Sequence, residues 1–226
     1  MVKSIIREIH NDTSDVKTLI LELEKNMPFK AGQFVMLKIN KKRFNKLIPS
    51  RAYSIANAPN DKHELKIIAK IIPDSAFSQF LDKMEEHEEI EVLGPYGRFV
   101  LKENEAKTIT LIGAGTGIAP LIGIMDFALE KNIKVNLFYC DKTEKDLIHK
   151  SELEALFDSK KIDGKLIVTR EESNYSGKID KSFLEKNITN SDKYFICGPP
   201  QFVTEVVENL ESQGIVEGDI KTERYG

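Results

Sequence analysis

Residues 51–59 read RAYSIANAP, which places a cation, an aromatic ring and a hydroxyl at Arg51, Tyr53 and Ser54, within four successive positions. Taken alone, that string equally fits an ordinary strand with one arginine whose stem lies along the surface and one core tyrosine. A second stretch, GAGTGIAP at 113–120, follows an apolar run and opens a helical pattern. Gly113, Gly115 and Gly117 allow a tight turn and close backbone approach, Pro120 suits a first helical turn, and the free amides there attract a pyrophosphate. The spacing is not GxGxxG and a P-loop lysine is absent, which argues against a standard Rossmann dehydrogenase and a nucleoside triphosphatase. The same glycines would also let a strand and a helix pack closely. The four histidines, His10, His63, His87 and His149, show no metal or triad spacing. No metal site is expected.

Two kinds of element must carry these residues. Up to Leu101 the chain shows short β-type runs, SIIREIH, VKTLILELE, QFVMLKIN, ELKIIAKII and EIEVLG, separated by turn-rich pieces. Their close spacing predicts an antiparallel barrel or sandwich. One helix interrupts it at 75–84, with Phe77, Phe80, Leu81 and Met84 on one apolar face. Beyond the polar KENEAK the strands TITLIG, KVNLFYC, KLIVTR and KYFICG are nearly continuous apolar runs, as when both sheet faces are covered. Helical patterns alternate with them in TGIAPLIGIMDFALEK, EKDLIHKSELEALFD and PQFVTEVVENLESQ. This predicts two domains, an antiparallel barrel over 1–103 and a parallel α/β domain over 104–226.

Composition narrows the class. With 33 basic against 36 acidic residues and a net charge of −3, the chain has no general affinity for nucleic acid or an acidic membrane surface. Cys140 and Cys197 are too few for a disulfide framework or a four-cysteine iron–sulfur cluster. The first residues lack a signal-peptide core, so a cytoplasmic location is expected. Residues 108–125 run 18 positions without a charge, but four glycines and Pro120 inside them argue for strand, turn and helix, not a membrane span.

Taken in order, RAYS at 51–54, GPYGRF at 94–99, GAGTGIAP at 113–120 and CGPP at 197–200 resemble the ferredoxin–NADP reductase superfamily. The likeness runs from PFKAGQFV to TERYG, and SQFLDKM with TEKDLIHKSELEAL looks like the cytochrome b5 reductase and small flavin reductase branches. The resemblance implies a flavin-binding barrel followed by a nicotinamide-binding α/β domain. On it, Arg51 binds a flavin phosphate, Tyr53 lies against the isoalloxazine and Ser54 hydrogen-bonds near its N5. Strand alternation puts Arg51 and Tyr53 on one face and Ser54 on the other, so a local bend must turn Ser54 inward. Ser78, at the start of the first helix, would meet the flavin phosphate. Thr116 and the turn of Cys197, Gly198 and Pro199 would frame the nicotinamide, with Cys197 near the hydride path. Glu223 and Tyr225 would stand beside the flavin's open face, Tyr225 as a gate; a frayed chain end is the competing reading.

The implied cofactors are FAD, with FMN as the other flavin, and NADPH or NADH. Thr169 and Arg170 stand where NADPH-using relatives hold the 2′-phosphate, and Lys142 and Lys178 add positive charge, so NADPH is favoured. Asp141 and Glu171 oppose it. The implied reaction is hydride transfer from nicotinamide to flavin, followed by electron transfer to a separate ferredoxin, cytochrome or small molecule. A diffusible NAD(P)H:flavin reductase and a non-catalytic flavin- or nucleotide-sensing subunit keep the same fold.

Overall fold

The computed structural model describes residues 1–39, 49–188 and 190–225. The first half holds β1 (Val2–Asn11), β2 (Val16–Leu23), β3 (Phe34–Lys38), β4 (Arg51–Ser54), β5 (Glu64–Lys70), α1 (Ala76–Asp82) and β6 (Glu89–Tyr96). The strands form one antiparallel sheet in the order β4-β3-β6-β1-β2-β5. An antiparallel bridge between Ile55 and Ile67 then brings the end of β4 onto β5 and closes the sheet on itself. In β1 the alternation is visible residue by residue, with Val2, Ser4 and Ile6 buried and Lys3 and Ile5 exposed. Helix α1 starts at Ser75, whose hydroxyl accepts a hydrogen bond from the Ser78 amide, and it buries Phe77, Phe80 and Leu81 in the barrel core.

The second half holds β7 (Thr108–Ala114), α2 (Ile118–Glu130), β8 (Lys134–Asp141), α3 (Lys150–Asp158), β9 (Asp163–Val168), α4 (Lys181–Asn187), β10 (Lys193–Gly198), α5 (Pro200–Ser212) and β11 (Ile220–Arg224). Its sheet is parallel throughout, in the order β11-β10-β7-β8-β9. Helix α4 was not foreseen; it is a short, mostly polar segment whose start is fixed by Asp180 accepting from the Phe183 amide. The final strand β11, expected to carry both Glu223 and Tyr225, ends at Arg224 just before Tyr225, and it pairs with β10 from Tyr194↔Ile220 to Gly198↔Arg224.

The uncharged run 108–125 becomes β7, a 3-10 turn over Gly115–Gly117 and the first half of α2. Among the described residues no helix is long and apolar enough to cross a membrane. Helix α2 is apolar almost all round because it is buried on two sides. Leu121 and Ile124 share one core cluster with Leu111 and Leu137 of the α/β sheet and with Val16, Ala56 and Ile68 of the barrel. A Cβ at Gly123 would lie 2.6 Å from the Ile55 carbonyl oxygen, so the helix rests directly on the strand that continues from RAYS. The glycine loop and the barrel are thereby locked in one register.

Asp126, on the half-buried flank of α2, carries a stability cost. Burial pushes its carboxyl up to about 6, opposed by the charges of Lys66 and His149 and helped by Glu130. In the unfolded chain the same group loses its proton near pH ~3.9. The folded state therefore holds an extra proton between those values, and stability falls as pH rises through the window and stays lower above it. Asp126→Asn is expected to be more stable than the unaltered chain at neutral pH, by roughly 2 kcal/mol. The gain should shrink to nothing toward about pH 4, as read by thermal midpoints across the range.

Candidate functional site

Two clefts meet where the barrel faces the carboxyl ends of the parallel strands. The first, of about 640 Å³, is lined by Arg51, Ala52, Tyr53 and Ser54 of β4, by Phe34, by Ser75 and Ser78 at the α1 start, and by Glu223, Arg224 and Tyr225. The second, of about 370 Å³, is lined by Gly115, Thr116, Asp141, Lys142, Thr169, Gly198 and Pro199, together with Asp15 from the barrel. Lys70, Thr116 and Tyr225 line both. Molecules seated in the two clefts would therefore come together at Tyr225.

The expected bend at RAYS is present. Tyr53 and Ser54 are consecutive yet both line the first cleft, at the point where the chain leaves its pairing with β3 to bridge β5. Ser54 is buried, and its hydroxyl is hydrogen-bonded to the Tyr225 phenol and reaches Glu223 Oε2 at 3.5 Å. Tyr225 also donates to Glu223 Oε2 at 3.4 Å, and its amide donates to the Gly198 carbonyl at 3.0 Å. The chain end is thus tied to the CGPP turn, and the frayed-end reading does not hold.

Burial pushes up the Glu223 carboxyl, the Cys197 thiol and the Tyr225 phenol. Cys197 and Tyr225 thus stay protonated at neutral pH. Cys197 is fully buried as a neighbour of the Tyr225 side chain and is not among the residues lining either cleft. Tyr225, which neighbours that thiol, lines both clefts.

The glycines divide into two jobs. A Cβ at Gly113 would fall 2.8 Å from Leu121 Cδ1 and one at Gly117 2.3 Å from the Cys197 carbonyl oxygen. At Gly117, where the neighbours are backbone atoms, close packing is the reason for glycine, and at Gly113 the neighbour is a buried leucine methyl. Gly115 differs, with φ +56° and only Asp141 Oδ2 near, at 3.9 Å, so its backbone faces the second cleft.

Other expected residues arrive with their groups partly committed. The Ser78 hydroxyl donates to the Lys70 carbonyl and accepts from the Ile72 amide, so it ties β5 to α1 although it borders the first cleft. Arg51 is exposed in the cleft wall, its guanidinium donating to the Ser50 carbonyl at 3.2 Å. The Thr169 hydroxyl donates to the Asp141 carbonyl, and the Arg170 amide to the Lys142 carbonyl. Arg170 is exposed and, like Lys178, is not among the residues lining the second cleft, although its backbone stays bonded beside Lys142 just past the end of β9 at Val168.

Sequence reasoning missed Lys70, Asp15, Phe34, Arg224 and Asp146. Lys70 ends an ordinary apolar strand and Asp15 sits in a polar turn, so neither carried a local signal.

A flavin-sized ligand fits the first cleft on its chemistry. Phe34, Tyr53 and Tyr225 offer ring surfaces, and Arg51, Lys70 and Arg224 outnumber the single carboxylate, Glu223. Its volume is that of an ordinary small-molecule site. The second cleft has a backbone-lined glycine turn and two lysines, but also three carboxylates, Asp15, Asp141 and Asp146. Among the described residues, no three His, Cys, Asp or Glu side chains are grouped to hold a metal ion.

Comparison with known proteins agrees with this division. An oxidoreductase FAD-binding domain family matches residues 4–101 and an oxidoreductase NAD-binding domain family residues 111–208. The NADH-cytochrome b5 reductase 2 of Yarrowia lipolytica is 32% identical over 76% of this chain and 64% of its own length. The flavohemoprotein of Bacillus subtilis is 26% identical over 98% of this chain and 58% of its own. The chain therefore spans about three fifths of the length of these two curated relatives. In fold it matches the flavohem-like FAD/NAD-binding domain of nitric oxide dioxygenase from Vibrio cholerae, with a TM-score of 0.89 over 100% of this chain and 98% of that one, at 21% identity.

Proposed function

The chain belongs to the ferredoxin–NADP reductase superfamily, as an FAD-binding domain followed by an NAD-binding domain, and on that premise we propose that it is an NADH-dependent flavoprotein reductase serving a separate electron acceptor. When bound, the two cofactors supply the chemistry, a hydride leaving the reduced nicotinamide for the flavin and electrons then leaving for the acceptor. The observation that carries the proposal is that Lys70, Thr116 and Tyr225 line both clefts, which puts the two sites in contact.

The protein's own work is to bind, orient and exclude water. Arg51 and Arg224 hold flavin phosphate, each a planar fork of donors suited to phosphate oxygens. Tyr53 supplies a flat surface, and Ser54 presents a hydroxyl whose direction is set by Tyr225 and Glu223. Tyr225 fills the junction and must yield for a nicotinamide to reach the flavin. Its departure would uncover Cys197 and release the Ser54 hydroxyl. In the second cleft Gly115, Thr116, Gly198 and Pro199 offer a surface on which a dinucleotide can lie, with Lys70 and Lys142 available to its phosphates.

The nicotinamide is assigned against the expectation from sequence. Asp15, Asp141 and Asp146 border the cleft and Arg170 does not, which disfavours a further phosphate and suits ribose hydroxyls. For the acceptor we propose a cytochrome or a ferredoxin, the partners named in the NADH-cytochrome b5 reductase and the monooxygenase ferredoxin reductase component that the chain resembles. A second reading, flavin as a diffusible substrate, draws on the committed Ser78 hydroxyl, which leaves that end of the first cleft with fewer free donors.

The test is direct. The purified protein should be yellow and should bleach anaerobically with NADH faster than with NADPH. Colourless protein that reduces added FMN would move the assignment to the diffusible-flavin reading. If neither bound nor added flavin is reduced, both readings are wrong and a sensing role takes their place. Cytochromes and ferredoxins supplied as acceptors would then identify the partner class.

A further inference from the structure

The two clefts share a cation that is already paired. Lys70 Nζ lies 2.8 Å from Asp15 Oδ2, with the two side chains 45% and 43% exposed, open enough for the pair to exchange partners. The pair is built by the barrel alone. Val16 faces Lys70 across the β2–β5 ladder, the Ile71 amide donates to the Asp15 carbonyl at 2.7 Å, and Thr13 donates to Asp15 Oδ1 at 3.1 Å. These contacts fix the carboxylate at the cleft mouth. The α/β domain presents Asp141 and Lys142 in the same cleft, with Asp141 Oδ1 accepting from the Lys142 backbone amide at 2.8 Å. The charges are felt across the gap: Lys142 acts on Asp15, and Lys70 acts on Asp141.

Resting on the assignment of the second cleft to a nicotinamide dinucleotide, we propose that Asp15 is a positioning residue that competes with the dinucleotide phosphates for Lys70. In the free protein the carboxylate holds the ammonium at the junction of the clefts. An arriving pyrophosphate takes it over and leaves Asp15 to solvent. Lys70 from the barrel and Lys142 from the α/β domain then close on one anion from opposite sides. The Asp15 carboxylate is ionised throughout the neutral range. Burial raises its pKa, but the Lys70 hydrogen bond and charge, with Thr13 and Lys142, outweigh that and leave it below the usual carboxylate range. Competition of this kind tunes release as well as capture, since the same carboxylate takes the ammonium back when oxidised dinucleotide leaves.

The experiment is an NADH titration of flavin reduction by anaerobic stopped flow, which separates the apparent Kd from the limiting rate. Asp15→Asn should lower the Kd about two- to fivefold, the range of an exposed ion pair, and change the limiting rate less than the Kd. In a Lys70→Ala background the same substitution should have little effect, and the gain should shrink in high salt. A Kd unchanged or raised by Asp15→Asn overturns the inference, as does equal tightening with and without Lys70, which would mean simple repulsion of the dinucleotide by Asp15. If the unaltered protein binds no dinucleotide, the assignment of the cleft fails and takes this inference with it; binding that Asp15→Asn leaves untouched sinks the inference alone.

Discussion

Tyr53→Ala is expected to purify almost without flavin while keeping its fold. The ring borders the first cleft and packs on Phe77 in a tilted contact at 5.9 Å between centroids, which holds it in the cleft wall. Burial pushes the phenol up to about 12, which leaves the ring neutral at any working pH. Removing it takes away a stacking surface and uncovers apolar area, together about 1.5–3 kcal/mol. That corresponds to a roughly 10- to 100-fold rise in flavin Kd. The strand itself should survive. β4 is held by backbone pairing with β3 from Phe34↔Ser54 to Leu37↔Arg51, which the side chain does not enter. Tyr53→Phe should keep its flavin, and Arg51→Ala should lose part of it through the phosphate end. Flavin content after gel filtration, read beside far-ultraviolet circular dichroism, decides the matter. Full occupancy in both alanine variants would remove the site from this strand.

What could be read from sequence follows from how local each feature is. The strands β7, β8 and β10 were legible because burial on both faces writes an unbroken apolar run, and α2 because a strongly apolar helical pattern followed the glycine loop. The ordered motifs located the clefts, since RAYS, the glycine loop and the CGPP turn all border them. Closure of the barrel through Ile55 and Ile67 was not legible, because a single bridge leaves no periodicity. Nor was the Asp15–Lys70 pair, whose members lie far apart in sequence and meet only through the β2–β5 ladder. Arg170 was named for its residue type alone; where it lies depends on the end of β9, and a strand end is the least readable part of a strand. The glycine loop left two readings open, and the structure needs both, packing at Gly117 and a cleft wall at Gly115.

Gly117→Ala should show how tightly that loop is joined to the C-terminal cluster. The residue has φ −59°, which alanine adopts without strain, so any effect comes from space. The added carbon would meet the Cys197 carbonyl oxygen at 2.3 Å, the Cys197 carbonyl carbon at 2.6 Å and the Gly198 nitrogen at 2.8 Å. All three are backbone atoms, so no side chain can turn aside. β10 cannot retreat easily either, since Cys197 is paired with Gly113 of β7 on one side and Glu223 of β11 on the other. The overlap must be relieved by prising the loop from the CGPP turn, at a cost of about 1–3 kcal/mol or more. Because the Tyr225 amide donates to the Gly198 carbonyl, the displacement carries to the tyrosine between the clefts. A lowered melting temperature should therefore come with a rise in NADH KM of about tenfold, the equivalent of ~1.4 kcal/mol lost from the bound state. Gly214→Ala is the fitting control: its φ of +86° is strained for alanine, yet nothing lies within 4 Å of the new carbon. It should lose stability by about 1 kcal/mol and leave KM alone. A Gly117→Ala protein with unaltered melting and unaltered KM would mean that loop and turn slide freely past each other, and the coupling of Tyr225 to the dinucleotide cleft would have to be sought elsewhere.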